Sequence, residues 1–180
     1  MTARPPERID ADGIVLRRPR AADGDALAAA ITASLEHLRP WMAWADDEAT
    51  TPERREAHFE RCERGWEGGS DFAFLVLDPE EQAVLGGCGL HRRVGPRAIE
   101  IGYWVHADHG GRGIATALAR ALTGAALALP DVDRVEIHCD EANVRSAAVP
   151  RRLGYRLDRI EEDEVTAPAE TGRSMVWVRP

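Results

Sequence analysis

Glu100-Ile-Gly-Tyr-Trp-Val-His-Ala-Asp-His-Gly-Gly-Arg-Gly-Ile-Ala-Thr116 is the stretch on which the reading of this chain turns. Ile99, Ile101, Tyr103 and Val105 alternate with Glu100, Gly102, Trp104 and His106, the period of a half-buried strand. Past Gly110, Gly111 and Gly113 the period changes. Ile114, Leu118 and Leu122, backed by Ala115, Ala119 and Ala126, recur at the spacing of a buried helix face. The order is strand, glycine loop, helix.

Such a loop has a physical use. The first turn of a helix carries amide hydrogens without intrahelical partners and the positive end of the helix dipole, so an anion is stabilised there. Glycines let the backbone approach a phosphate without a Cβ in the way, and Arg112 adds a permanently charged donor fork at the mouth. A turn that merely caps a helix would look the same in isolation, so other residues must decide. A Walker A loop is excluded because it needs a lysine and this chain has none. A dinucleotide fingerprint is excluded because Thr116 stands where the third glycine belongs and no parallel-sheet pattern surrounds the loop.

The 180 residues fit one domain, 1–180, large enough to bury about 70% of the unfolded surface. The longest Ala/Leu-rich stretch, Leu118 to Leu129, is broken by Arg120 and too short to span a bilayer, so no membrane partner is expected. The first residues lack the apolar core of a signal peptide, which makes a cytoplasmic location the expectation. Cys62, Cys88 and Cys139 have no metal-like spacing, so neither a disulfide framework nor a metal site is expected, and they read as small buried hydrophobes. The net charge of −8 and the lack of a basic run argue against nucleic-acid binding and suit a cationic acceptor such as an amine.

Taken in order, Ile14-Val-Leu-Arg-Arg-Pro reads as a first strand, and Asp23 or Asp25 as the cap of a helix carrying Leu27, Ala30, Ile31 and Leu35. His37-Leu-Arg-Pro-Trp-Met-Ala-Trp follows, its two tryptophans fitting either an amphipathic wall or plain core. Thr50-Thr-Pro-Glu opens a second helix with Phe59, Cys62 and Trp66 on its apolar face and Gly68-Gly69 at its end. Asp71 to Asp78 and Ala83 to His91 form a hairpin leading through Gly95-Pro-Arg to the central strand. After the glycine-loop helix come a strand over Val135 to Cys139, a short helix from Asn143 to Gly154, and two closing strands. The order is β-αα-βββ-α-β-α-ββ, about seven strands of an α+β chain.

Gly110-Gly-Arg-Gly-Ile-Ala115 resembles motif A of the GNAT superfamily of acetyl-CoA-dependent N-acetyltransferases, commonly Arg-Gly-x-Gly-x-Ala; Gly110 departs from the usual Arg or Gln. His-Leu-Arg-Pro-Trp-x-x-Trp at 37–44, Glu-Ile-Gly-Tyr-Trp at 100–104 and Asn-x-x-Ser at 143–146 before Leu-Gly-Tyr are similar to the RimJ/RimL ribosomal-protein acetyltransferase branch. The resemblance implies a GNAT fold, a mixed and mostly antiparallel sheet whose fourth and fifth strands splay to admit acetyl-CoA, with no metal. It implies backbone contacts from Trp104, Val105 and His106 to the pantetheine arm. Gly110, Gly111, Arg112, Gly113, Ile114, Ala115 and Thr116 would hold the pyrophosphate, and Asn143 would touch the cofactor.

Transfer to an amine needs a base and a proton for the departing thiolate. Glu100, its pKa raised beside Trp104, is the expected base, the alternative being a solvated sheet carboxylate. By the family's pattern the thiolate-protonating tyrosine falls at Pro150, which cannot serve, leaving Ser146 as the alternative hydroxyl; Pro150 should also strip Ser146 of its helical carbonyl partner. His138 is the one histidine considered as a second base. His37, Trp41 and Trp44 are candidates for binding the acceptor, a protein N-terminal amine or a small-molecule amine. A homodimer is left open. A GNAT-fold module that binds acyl-CoA without turnover is the rival reading, motivated by Gly110 and Pro150.

Overall fold

The computed structural model describes residues 3–180. Its strands form one eight-stranded sheet, ordered β1-β2-β3-β4-β5-β6-β8-β7. The elements run β1 (Arg8–Ala11), β2 (Ile14–Arg17), α1 (Gly24–Leu38), α2 (Pro52–Gly68), β3 (Asp71–Leu77), β4 (Val84–His91), β5 (Ala98–Val105), α3 (Ile114–Leu127), β6 (Arg134–Asp140), α4 (Val144–Arg152), β7 (Arg156–Glu162) and β8 (Arg173–Arg179). The expected order is present with one strand added: β1 pairs antiparallel with β2 across a two-residue Asp12-Gly13 turn, Gly13 having φ +76°.

The expected caps hold for α2. Thr51 accepts from the Arg54 amide, Pro52 begins the helix and Gly69 ends it with φ +69°. They do not hold for α1. Asp23 is pulled away by Arg17, whose guanidinium donates to its carboxylate at 2.9 and 3.0 Å, and it also accepts from the Arg20 amide at 2.6 Å. It therefore closes a 3-10 turn ahead of α1 and makes no side-chain cap on the helix itself.

Apolar burial explains where the helices sit. Leu118, Leu122 and Ala126 of α3, with Ala147 and Val149 of α4, pack with Ile99, Ile101 and Ile137 of the central strands in the larger core. A smaller cluster joins Leu27 and Ala30 of α1 to Val15, Leu75, Leu77 and Val84. Trp66 of α2 lies edge-on to Phe72 and Phe74, at 5.0 and 5.3 Å, and donates its Nε1–H to the Ala73 carbonyl at 3.0 Å.

One parallel pairing shapes the middle of the sheet. β5 and β6 pair only over Ala98–Glu100 and Arg134–Glu136. Beyond that point β5 stays with β4 out to Val105, while β6 stays with β8 out to Asp140. The two strands splay, leaving the edge of β5 from Ile101 onward unpaired. This is the wedge expected between the fourth and fifth of the seven strands read from the sequence.

Candidate active site

The loop before α3 has the geometry of an anion cradle. Gly111 and Gly113 hold φ +76° and +82°, conformations costly to other residues, and a Cβ at either would meet nothing within 4 Å. The first amide at the helix start to find an acceptor is that of Ala117, on the Gly113 carbonyl at 2.9 Å. The Gly110 amide, expected among the diphosphate donors, instead donates to the Ala107 carbonyl at 3.3 Å, while among the described residues the amides from Gly111 to Thr116 donate to no protein group. Gly113 caps α3 without a side chain, and exposed Arg112 makes no ion pair there, its nearest polar partner being His109 at 3.4 Å. Six unsatisfied donors, a helix dipole and a free guanidinium fit a diphosphate.

The wedge fits a pantetheine arm, with a correction to the expected contacts. The His106 amide donates to the Leu85 carbonyl at 2.8 Å and its carbonyl accepts from His109 at 3.0 Å, so its backbone is engaged within the chain. Backbone groups alternate sides along a strand. His106 and Trp104 therefore point toward β4, while Val105 and Tyr103 point into the wedge.

The wedge opens into a cavity of about 940 Å³ lined by residues of α1, α2, β3 to β6 and the start of α4. Trp41, Trp44 and Trp104 are in its wall, Trp44 edge-on to Trp104 at 6.1 Å, so the tryptophan pair does form a wall. His37 is not among the lining residues. It is exposed on α1, since Ser34 and Leu38 take the buried side of that turn.

Glu100 faces the cavity, but in a different charge environment from the one expected. Both its oxygens accept from Arg93, at 2.7 Å each. Burial pushes its carboxyl up, yet the hydrogen bonds and charge of Arg93, with His138 and His91 nearby, hold it below the usual glutamate range. The expected raised pKa is overturned, and an ionised carboxylate tied at both oxygens is a poor base for an ammonium proton.

On the other side of the wedge Asn143 and Ser146 both line the cavity. Asn143 caps α4, its Oδ1 accepting from the Ser146 amide at 3.1 Å. The orphan carbonyl created by Pro150 finds a partner that sequence reasoning missed: the Tyr103 hydroxyl donates to the Ser146 carbonyl at 3.3 Å and lies 3.2 Å from its Oγ. Burial pushes the Tyr103 phenol up to about 12 against the opposing hydrogen bond from Ser146, so it stays protonated at neutral pH. Its signal in the sequence was its place in β5, on the side opposite Glu100.

The cysteines are free, and burial raises the pKa of all three thiols, that of Cys62 to about 11, which disfavours thiolate chemistry. Among the described residues no group of three or more His, Cys, Asp or Glu is placed to hold a metal, and no helix is long and apolar enough to cross a membrane.

Comparison with known proteins agrees with this geometry. The profile of the acetyltransferase (GNAT) domain matches residues 14–156. YdaF of Bacillus subtilis (strain 168), named provisionally as a ribosomal N-acetyltransferase, is 30% identical over 145 residues, 79% of this chain and 77% of its own. RimL, a ribosomal L7/L12 alpha-N-protein acetyltransferase solved with coenzyme A, superposes with a TM-score of 0.86 at 21% identity, covering 96% of this chain and 97% of its own. The microcin C7 self-immunity acetyltransferase MccE, solved with acetyl-CoA and AMP, gives 0.83 at 18% identity over 93% and 92%. With a glycine cradle, a splayed sheet and a domain profile spanning most of its length, this chain belongs to the GNAT acetyltransferase family.

Proposed function

We propose that this chain moves an acetyl group from acetyl-CoA to a primary amine by direct transfer in a ternary complex, with a protein N-terminal α-amine as the favoured acceptor. The observation that carries the reading is the continuity of three features: six unpartnered amides at the start of α3, an unpaired β5 edge, and a large cavity on the far side of the same wedge. When bound, acetyl-CoA supplies an acyl group activated as a thioester. Gly111 to Thr116 and Arg112 hold its diphosphate, and Val105 and Tyr103 present backbone groups to the arm. Asn143 and Ser146 line the same wedge and would hold the sulfur end, Ser146 offering a hydroxyl to the departing thiolate.

At the acceptor end Glu100 attracts and orients an ammonium through charge. Trp41, Trp44 and Trp104 give an apolar wall against which the acceptor's side chain packs and water is excluded. The relatives named for ribosomal-protein acetylation support a protein acceptor and a cytoplasmic setting, and we take all 180 residues to act as one unit. The test is release of thiol from acetyl-CoA with peptides bearing free N-termini, with the same peptides N-terminally blocked as controls. Release confined to free amines supports transfer. Tight coenzyme A binding with no release across peptides and small amines would instead establish a non-catalytic acyl-CoA-binding module.

A further inference from the structure

β6 carries Glu136, His138 and Asp140 on one face, opposite the core residues Val135 and Ile137. The Glu136 side chain is 2% exposed, a costly place for a carboxylate unless its oxygens are satisfied. Both are. Oε1 accepts from Arg134 Nε at 2.7 Å, and Oε2 lies 2.7 Å from His138 Nε2.

A carboxylate oxygen accepts, so in this contact the ring nitrogen His138 Nε2 is the donor. In the neutral ring the other nitrogen, Nδ1, is then the acceptor, and among the described residues it has no hydrogen-bond partner. His138 lines the cavity. The last β5–β6 pair is Glu100 with Glu136, so His138 is the next residue of β6 on that face where the wedge opens.

Resting on the acetyl-transfer reading, we propose that His138, oriented by Glu136, takes the proton from the acceptor's ammonium at Nδ1, the task for which Glu100 is occupied by Arg93. The proton balance is complete. R–NH₃⁺ gives one proton to His138, and the neutral nitrogen bonds to the thioester carbon as the C–S bond breaks with its pair on sulfur. The new amide nitrogen loses its second proton. One proton is taken up by the thiolate and one leaves to solvent. The imidazolium formed meanwhile is stabilised by the buried Glu136 carboxylate; Glu136 is a positioning residue, since it acts through the ring. The charged and titratable groups around this pair are Arg134 of β6 and Arg159 of β7 beside Glu136, and, on the cavity wall, Glu100, Arg93 and His91 from β4, β5 and their connection, Asp71 from β3, Cys139 and Asp140 from β6, His58 and Arg61 from α2, and Glu170.

The experiment uses the full chain, a peptide with a free N-terminus and, as a weakly basic acceptor already neutral at assay pH, O-methylhydroxylamine. His138→Asn should lower kcat for the peptide by about 100-fold with KM little changed, the size expected for loss of a general base. With O-methylhydroxylamine the deficit should largely vanish, and the acidic limb of the kcat/KM profile should disappear. Glu136→Gln should cause a smaller loss and move that limb. Calorimetric binding of coenzyme A, unchanged in both variants, would show that they fold. Nitrogen-15 histidine spectra need no acceptor: the Nε2–H tautomer is expected in the wild type and its loss in Glu136→Gln. Equal loss on both acceptors, an unaltered kcat, or an Nδ1–H ring in the wild type would overturn the proposal and leave acetyl transfer standing. A wild type that releases thiol with no amine would overturn acetyl transfer itself, and His138 catalysis with it.

Discussion

Replacing Gly113 by valine separates the phosphate cradle from the fold. Gly113 has φ +82° and ψ 0°, and an added Cβ meets nothing within 4 Å, so no neighbour has to move. The cost to the fold is the backbone's alone, about 1–2 kcal/mol for an L-residue held in the left-handed region. In a chain of 180 residues that lowers Tm by about 2–8 °C, well inside a typical stability of 5–15 kcal/mol. Binding suffers more, because the new side chain stands beside donors that must approach the diphosphate closely. If two charge-assisted hydrogen bonds at about 1.5–3 kcal/mol each are lost, Kd for coenzyme A rises about 10² to 10⁴-fold. Gly124→Ala is the control. It adds a methyl to an exposed site on α3 with open space and an ordinary φ, and should stabilise by about 0.4–1 kcal/mol with binding unchanged. Isothermal calorimetry and a melting curve on both variants decide the matter. A valine variant that still melts cooperatively and binds within about threefold of wild type would remove the diphosphate from this loop.

Three further outcomes follow from contacts elsewhere. Tyr103→Phe leaves the Ser146 carbonyl unpaired and should cost about 1–3 kcal/mol; Pro150→Ala restores the amide that would take that carbonyl, so in its background the loss should shrink, and additive denaturation energies would refute the link. Trp66→Ala empties a site 1% exposed and strands the Ala73 carbonyl, at about 3–5 kcal/mol by urea titration. Glu100, whose folded pKa is lowered, contributes stability that is fully present above its unfolded pKa and is lost as pH falls through the folded value. Glu100→Gln should therefore flatten the acid side of a plot of urea midpoint against pH, and an unchanged slope would show that the Arg93 pair does not contribute.

What the sequence made legible was periodic and local. β5, the loop and α3 could be read because the apolar period switches at three glycines, and two of those glycines do hold positive φ. The caps of α2 were legible for the same reason: Thr51, Pro52 and Gly69 act on backbone within a turn of themselves. β1 escaped because its four residues, Arg-Ile-Asp-Ala, alternate over only two cycles with Ile9 as the one large apolar side chain, although Asp12-Gly13 was a hairpin signal in plain sight.

The site was legible in outline and wrong in its charges, and the reason is distance along the chain. Asp23 looked like a cap until Arg17, six residues away, claimed it; Glu100 looked like a base until Arg93 came round the β4–β5 connection; the carbonyl stranded by Pro150 was found, but its partner lies 43 residues earlier. Each is a polar contact between elements, which periodicity does not encode. Glu136 and His138 are the exception, because residues two apart on a strand must share a face, so their pairing could be read from sequence once β6 was assigned. A carboxylate and an imidazole brought together by strand geometry depend on β6 alone, whereas the Glu100–Arg93 pair depends on a connecting turn. A proton acceptor that must keep its orientation through repeated turnover is better placed on the former, and this is the structural reason to seek the base on β6 rather than on β5.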